Sequence, residues 1–352
     1  VETKVLKVDP HHPELDRIRI AADVIRKGGL VAFPTETVYG LGANALDGKA
    51  VRGIFKAKNR PADNPIIVHV ADKDDVYVLA EHVPEIAENL MDRFWPGPLT
   101  LLFMRSEVVP DVVTAGLATV AIRMPSHAVA HALIAEAGVP VAAPSANLAG
   151  RPSPTSARHV IEDLSGRIEV LLDGGEIGYG VESTVLDLTA DPPAVLRPGP
   201  VAVEELRDIV GEVEVHPIAK AEVPIEVAIA RSPGMKYRHY APTAEVVVVE
   251  GPLEAVTVKI QELADAHRRL GEKVGIMAME ETSSGYKADV IKVVGSRQNP
   301  RTVAKNLFKV LREFDAEGVK FVAAEGLEPV GIGLAVMNRL RKAAGYNIVR
   351  VP

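Results

Sequence analysis

Leu30-Val31-Ala32-Phe33 runs directly into Pro34-Thr35-Glu36-Thr37-Val38-Tyr39-Gly40-Leu41-Gly42. Four apolar residues bounded by turn formers read as a short buried strand. The hydroxyl- and glycine-rich continuation reads as a loop at its carboxyl end. Just before it, residues 15–27 place apolar side chains at helical spacing and stop at Gly28-Gly29, a helix with a glycine terminator. Helix, strand and polar loop in that order define an α/β sheet, and open α/β sheets bind ligands outside the carboxyl ends of their strands. Thr35 and Thr37 suit such a site, and equally suit an ordinary turn that bonds its own hydroxyls.

The same pattern recurs downstream. Asp47 to Phe55 reads as a short helix that ends in Lys56-Ala57-Lys58-Asn59-Arg60-Pro61, three cations in five residues. Two readings stand side by side. Cations at a helix carboxyl end complement its dipole; alternatively, Lys58 is a point charge and Arg60 a planar fork for a phosphate. Asn64-Pro65 then leads to a strand over 66–70 containing His69, a helix over 84–94, Trp95-Pro96-Gly97-Pro98, and a strand over 99–103. The strand from Thr119 ends on Arg123, suited to clamp a carboxylate or to sit in a surface ion pair. Val139 to Ala143 opens into Pro144-Ser145-Ala146-Asn147, with Ser153 beyond it, and a helix begins at Ser156. A glycine-rich turn from Asp173 to Thr184 carries Ser183, and Val195-Leu196-Arg197-Pro198-Gly199 follows the next strand. Four strand-end loops bearing Lys, Arg, Ser, Thr and Asn are more than solvated turns require.

The 352 residues favour about two domains, at roughly 150 residues each. The net charge of −7 argues against a protein that coats nucleic acid, which needs a broad basic face. With no cysteine, disulfides, thiolate nucleophiles, zinc knuckles and iron–sulfur clusters are excluded. Val1 to Pro13 is charged and carries two prolines, unlike a signal peptide. No apolar run reaches the ~20 residues of a membrane span. A soluble cytoplasmic protein is expected, without membrane contact.

Beyond about residue 211 the pattern loosens into a proline-punctuated linker, expected to run to 243. A second domain follows over 244–352, with strands at 245–250, 274–279, about 289–294 and 319–324. Helices at 253–270, from the Asn299-Pro300 cap pair to Glu317, and at 332–344 alternate with them. Alternation of this kind predicts a small parallel sheet. No Gly-x-Gly-x-x-Gly or Walker-type phosphate loop accompanies it.

Phe33-Pro34-Thr35-Glu36-Thr37-Val38-Tyr39-Gly40-Leu41, Lys58-Asn59-Arg60-Pro61, Trp95-Pro96-Gly97-Pro98-Leu99-Thr100, Pro144-Ser145-Ala146-Asn147 and Val195-Leu196-Arg197-Pro198-Gly199 together resemble the YrdC family, within it the long two-domain threonylcarbamoyl-AMP synthases. The match spans residues 15–210, and its strength lies in the order of the segments. The resemblance implies a twisted, open α/β catalytic domain over 1–210 and a smaller Rossmann-like parallel α/β domain. It implies a nucleotidyltransferase that joins L-threonine, bicarbonate and ATP into L-threonylcarbamoyl-AMP, with Mg2+ on the phosphates and no dedicated metal site. The product would pass to a tRNA threonylcarbamoyl transferase complex, with at most weak RNA contact by the chain itself. On the family pattern Lys58, Arg60, Ser145 and Asn147 are catalytic and line the ATP cradle with Ser153, while Asn64, Thr119 and Arg197 contact the nucleotide. Arg123 holds the threonine carboxylate, with Thr35, Thr37, His69, Ala143 and Ser183 around the rest of the amino acid. In that family the segment 232–242 folds over the active site, which makes Lys236, Tyr237 and Tyr240 lid contacts to ATP. The rival classes are an RNA-binding module without ATP turnover, which would spread its cations over a face, and a carbamoyltransferase, whose relatives carry zinc-finger regions that this chain lacks.

Overall fold

A computed structural model describes residues 2–225, 230–233, 235 and 239–352. The chain divides into two compact units. The first comprises Val1–Ala149, Ser153–Ala219 and Glu226–Lys236; the second comprises Gly150–Pro152, Lys220–Ile225 and Tyr237–Pro352.

The first unit is built on an 11-stranded mixed sheet. Its strands are β1 (Lys4–Lys7), β2 (Val31–Pro34), β3 (Tyr39–Asn44), β4 (Val68–His69), β5 (Leu99–Met104) and β6 (Thr119–Arg123). They continue as β7 (Val141–Ala142), β8 (Val170–Asp173), β9 (Thr184–Asp187), β10 (Ala194–Arg197) and β11 (Glu214–Val215). Across the sheet the order is β1-β8-β2-β3-β7-β4-β6-β5-β9-β10-β11. The helix Leu15–Arg26 buries Ile18, Ala21, Ala22 and Ile25, which cluster with Val31 and Phe33 of β2 and with Val129, Leu133 and Ile134 of the helix Ala128–Ala137. Each large apolar side chain so buried contributes about 1.5–3 kcal/mol.

The expected loop 34–42 is in its second half a strand: β3 pairs antiparallel with β2. Its glycines, which read as loop formers, serve packing. A Cβ on Gly42 would lie 2.7 Å from both the Phe33 ring and Val141 Cγ1, so only glycine lets the ring cross this strand. The strand expected over 66–70 shortens to Val68–His69, because Ile66 N–H turns to the carbonyl of Val113 (2.8 Å). Residues 211–243, read as a linker, include β11, which extends the first sheet by pairing in parallel with β10.

The second unit is an all-parallel sheet of β12 (Glu245–Glu250), β13 (Val274–Met279), β14 (Val290–Gly295), β15 (Phe321–Glu325) and β16 (Ile348–Arg350), ordered β14-β13-β15-β12-β16. The helix Leu253–Arg269 buries Val256, Ile260 and Ala264 in a core shared with β12, β13 and β15. The helix Pro300–Ala316 begins with its proline as expected, but the Asn299 side chain makes no capping bond. Thr302 Oγ1 donates to the Asn299 carbonyl (2.7 Å) and accepts from Ser296 N–H (2.9 Å). At the carboxyl ends of the strands Glu325 is fully buried, paired with Arg297 (2.8 Å) and hydrogen-bonded by Thr282 Oγ1. Removing one partner of such a pair costs about 3–5 kcal/mol.

Gly199 follows β10, where a Cβ would come within 2.2 Å of Thr184 N and 2.7 Å of the Glu182 carbonyl. Both atoms are backbone and cannot yield. Gly199→Ala is expected to destabilise the first unit by about 2 kcal/mol or more, read in thermal denaturation as a fall of roughly 4–8 °C. An unchanged midpoint would show that this approach relaxes freely.

Candidate active site

The tightest polar group surrounds Arg123 at the end of β6. Its side chain is 4% exposed, and a guanidinium kept from water must be neutralised and hydrogen-bonded. Nε donates to the Gly97 carbonyl (3.2 Å) and Nη1 to Thr37 Oγ1 (3.0 Å). Nη2 lies 2.6 Å from Glu36 Oε1, an ion pair without hydrogen-bond alignment. Arg123 is therefore in a buried pair and not the surface pair that its sequence position also allowed.

The turn carrying Glu36 is fixed from both sides. Thr35 Oγ1 donates to the Val38 carbonyl (2.6 Å) and lies 2.9 Å from Thr37 Oγ1. Tyr179 N–H and Gly180 N–H donate to the carbonyls of Glu36 (2.9 Å) and Thr37 (3.1 Å). The two threonines satisfy the turn's own hydrogen bonds, and Thr37 also accepts from Arg123.

His69 in β4 is buried, its Nδ1 without an aligned hydrogen bond and the backbone of Ile67 and Val141 beside the ring. Burial, followed by the field of Arg123, pushes its pKa down to about 3. The ring is neutral at physiological pH, a hydrogen-bonding group and too weak a base to deprotonate an amine.

Next to this group, Ser183 Oγ lies 2.8 Å from Thr100 Oγ1 and accepts from Arg197 Nη2 (3.0 Å), while Arg197 Nε donates to the Ser183 carbonyl (3.0 Å). Arg197 also lowers the His69 pKa, so the two groups share one electrostatic neighbourhood. Ser153 Oγ donates to Glu182 Oε1, and Ala143, after β7, is buried with its N–H on the Ile67 carbonyl (3.0 Å).

The basic segment resolves in an unexpected way. The helix Gly48–Lys58, capped by Asp47, carries Lys56 and Lys58 in its last turn, as the dipole reading requires. Yet Lys58 is buried, and its Nζ donates to the carbonyls of Ser145 and of Asn147 (2.6 Å). It ties the Ser145-Ala146-Asn147 loop to the helix end. Arg60 Nη2 donates to the carbonyls of Asn64 (3.0 Å) and Pro65 (3.3 Å), with its guanidinium 5.5 Å from the Phe55 ring centroid. Asn64 is buried, and neither polar atom of its side chain has a hydrogen-bond partner.

Thr119 opens β6, four residues from Arg123, so about 13 Å of strand separates them. Tyr240 packs within the second unit, stacked on Phe308 (5.1 Å between centroids) with the Arg339 guanidinium 5.9 Å from its ring. Lys236 and Tyr237 lie outside the described residues. Sequence reasoning missed Glu36, Thr100 and Glu182 as partners; Glu36 sits inside the quoted motif, but nothing in the motif tells that its carboxylate is buried.

A mixed sheet whose strand ends gather guanidinium, ammonium and hydroxyl groups defines an α/β enzyme-like domain followed by a parallel α/β domain. The family model described as "Telomere recombination", covering Sua5, YciO and YrdC proteins, matches residues 23–199, and that described as "Threonylcarbamoyl-AMP synthase, C-terminal domain" matches 201–345. The chain belongs to the threonylcarbamoyl-AMP synthase family of Sua5/YrdC proteins. It is 56% identical over 335 residues to the threonylcarbamoyl-AMP synthase of Pyrococcus abyssi, covering 95% of this chain and 96% of that one. With the Bacillus subtilis protein of the same name it shares 49% over 337 residues, covering 95% and 94%. The crystal structure of P. abyssi Sua5 complexed with L-threonine superposes with a TM-score of 0.93 at 53% identity, covering 100% of both chains.

The buried neutral His69 has a pH signature. Between pH 6.5 and about 3 the unfolded chain binds a proton that the folded chain refuses, so stability is complete above pH 6.5 and falls as pH drops through that window. The slope from this residue is at most about 1.4 kcal/mol per pH unit. Urea unfolding at pH 7 and pH 5 is expected to show a larger loss for the native protein than for His69→Gln; equal losses would place the His69 pKa near its ordinary value.

Proposed function

We propose that the chain is an L-threonylcarbamoyladenylate synthase. It joins L-threonine, bicarbonate and ATP to give L-threonylcarbamoyl-AMP and pyrophosphate. The observation that carries this reading is the near-complete coverage, at 56% and 49% identity, of two relatives that bear this name. The polar groups at the strand ends support it.

The reaction divides into two steps. The threonine amine takes up the carbon of bicarbonate, losing water, and becomes a carbamate. A carbamate oxygen then attacks the α-phosphorus of ATP, and the bond to the bridging oxygen breaks to release pyrophosphate. Such transfer depends on positioning and charge neutralisation. Lys58 and Arg60 supply positive charge to the triphosphate, and Lys58 also holds the loop from which Ser145 and Asn147 act. Asn64, Thr119, Ser153 and Arg197 contact the nucleotide, with Lys236, Tyr237 and Tyr240 contributing from the segment 232–242. Arg123 takes the threonine carboxylate, while Thr35, Thr37, Ala143, Ser183 and neutral His69 surround its amine and hydroxyl. A site that hydrogen-bonds a substrate hydroxyl rejects an analogue without it, because its own polar groups are left unpaired. Mg2+ enters on the triphosphate oxygens as part of the substrate. The adenylate would serve tRNA threonylcarbamoylation through a separate transferase complex. Among the described residues no helix is long and apolar enough to cross a membrane.

Pyrophosphate release with ATP, Mg2+ and bicarbonate is expected with L-threonine and not with L-valine. No release with any amino acid, together with steeply salt-dependent RNA binding, would replace this function by RNA binding. In the same assay Lys58→Ala and Arg60→Ala are each expected to slow turnover about 100-fold, the usual loss for a charge-stabilising donor. Native rates in both would leave these cations only their structural roles, Lys58 against the Ser145 and Asn147 carbonyls and Arg60 against those of Asn64 and Pro65.

A further inference from the structure

Two side chains at Arg123 carry buried polar atoms that no aligned hydrogen bond satisfies, and they have opposite charge. They are Nη2 of Arg123 and both carboxylate oxygens of Glu36. Arg123 Nε and Nη1 are occupied by the Gly97 carbonyl and Thr37 Oγ1, which leaves Nη2 as the donor with capacity. The Glu36 carboxylate is held in place by its backbone, whose carbonyl accepts from Tyr179 N–H (2.9 Å). The field of Glu36 also reaches His127, whose pKa is lowered by burial and held up in part by this carboxylate.

Buried polar atoms are nearly always hydrogen-bonded, and exceptions call for a partner. The cation and the anion here stand 2.6 Å apart. In an α-amino acid the nitrogen and the nearer carboxylate oxygen are separated by about 2.7 Å. An ion pair of this spacing is the charge complement of a zwitterion: Nη2 faces the carboxylate and the Glu36 oxygens face the ammonium. We propose that Glu36 is a substrate-binding residue that recognises the α-ammonium of the amino acid whose carboxylate Arg123 receives. This rests on the reaction proposed above, and deepens it by assigning the ammonium to Glu36. Glu36 thereby sets a preference for α-amino acids over α-hydroxy acids before any bond is made.

A purely structural Glu36, which only orients Arg123, makes a different prediction, and calorimetric titration separates the two. The ligands are L-threonine, 2,3-dihydroxybutanoate (a hydroxyl in place of the ammonium) and ATP, each titrated into native protein and Glu36→Gln. The native protein is expected to prefer L-threonine over 2,3-dihydroxybutanoate by about 20-fold or more, the scale of a charge-assisted hydrogen bond. In Glu36→Gln that preference is expected to collapse to within about threefold, with ATP affinity unchanged. Equal weakening of both acids would make Glu36 a positioning residue for Arg123 and overturn the proposal, as would an undiminished preference in the variant. Should Glu36→Gln fail to fold, Glu36→Asp keeps the charge one methylene further back, and a reduced preference is expected there; a native preference under threefold overturns the proposal without any variant. Native protein that binds other amino acids but not L-threonine would refute the proposed substrate and leave the role of Glu36 standing.

Discussion

A cation withdrawn from water governs the first unit. The Arg123 guanidinium is almost wholly buried, and leaving it unpaired would cost several kcal/mol. Its donors therefore dictate where distant segments converge: the turn after β2, the Gly97 carbonyl beyond the helix Glu85–Phe94, and the Glu36 carboxylate. The glycine-rich turn before β9 is drawn in through the backbone bonds from Tyr179 and Gly180. Placing this arginine at the end of an interior strand draws polar loops together there, because a loop that neutralises it also carries hydroxyls.

Much of this was legible in the sequence, because periodicity reports burial. The strands 245–250 and 274–279 were expected at their observed bounds, since runs of Val, Ile and Met between turn signals leave little choice. Other features were hidden by the physics itself. Tyr39-Gly40-Leu41-Gly42 reads as a loop, and becomes a strand only because a ring from β2 needs the space of the missing Cβ atoms. The edge strand β16, three partly exposed residues, has no periodicity to show. Asn299 has the composition of a cap, but its side chain makes no capping bond.

The candidate site was legible as a set of residues and not as a set of partnerships. Thr35, Thr37 and Arg123 were singled out separately, and the bond between Thr37 and Arg123 across 86 positions is information that only the fold supplies. Lys58 is the sharper case. Its place after a helix suggested a dipole complement or a phosphate ligand, and neither reading told that its ammonium is buried against two carbonyls. Glu36 was passed over because an acidic residue in a turn is normally solvated; here three segments enclose it.

The bonds around Ser145 to Ala149 bear on timescale. Leu41 N–H reaches the Pro144 carbonyl, Ala146 N–H the Tyr39 carbonyl, and Ala149 N–H the Lys58 carbonyl, while Leu148 N–H is held by Asp163. With the Lys58 ammonium added, this loop is in effect another rung of the sheet. Segments anchored in this way open only with the elements that hold them, so its amides exchange with solvent at the rate of the core and not of a surface loop. The Lys58 ammonium is thus fixed against carbonyls that themselves belong to a slowly exchanging segment, and the helix end and the loop move as one piece.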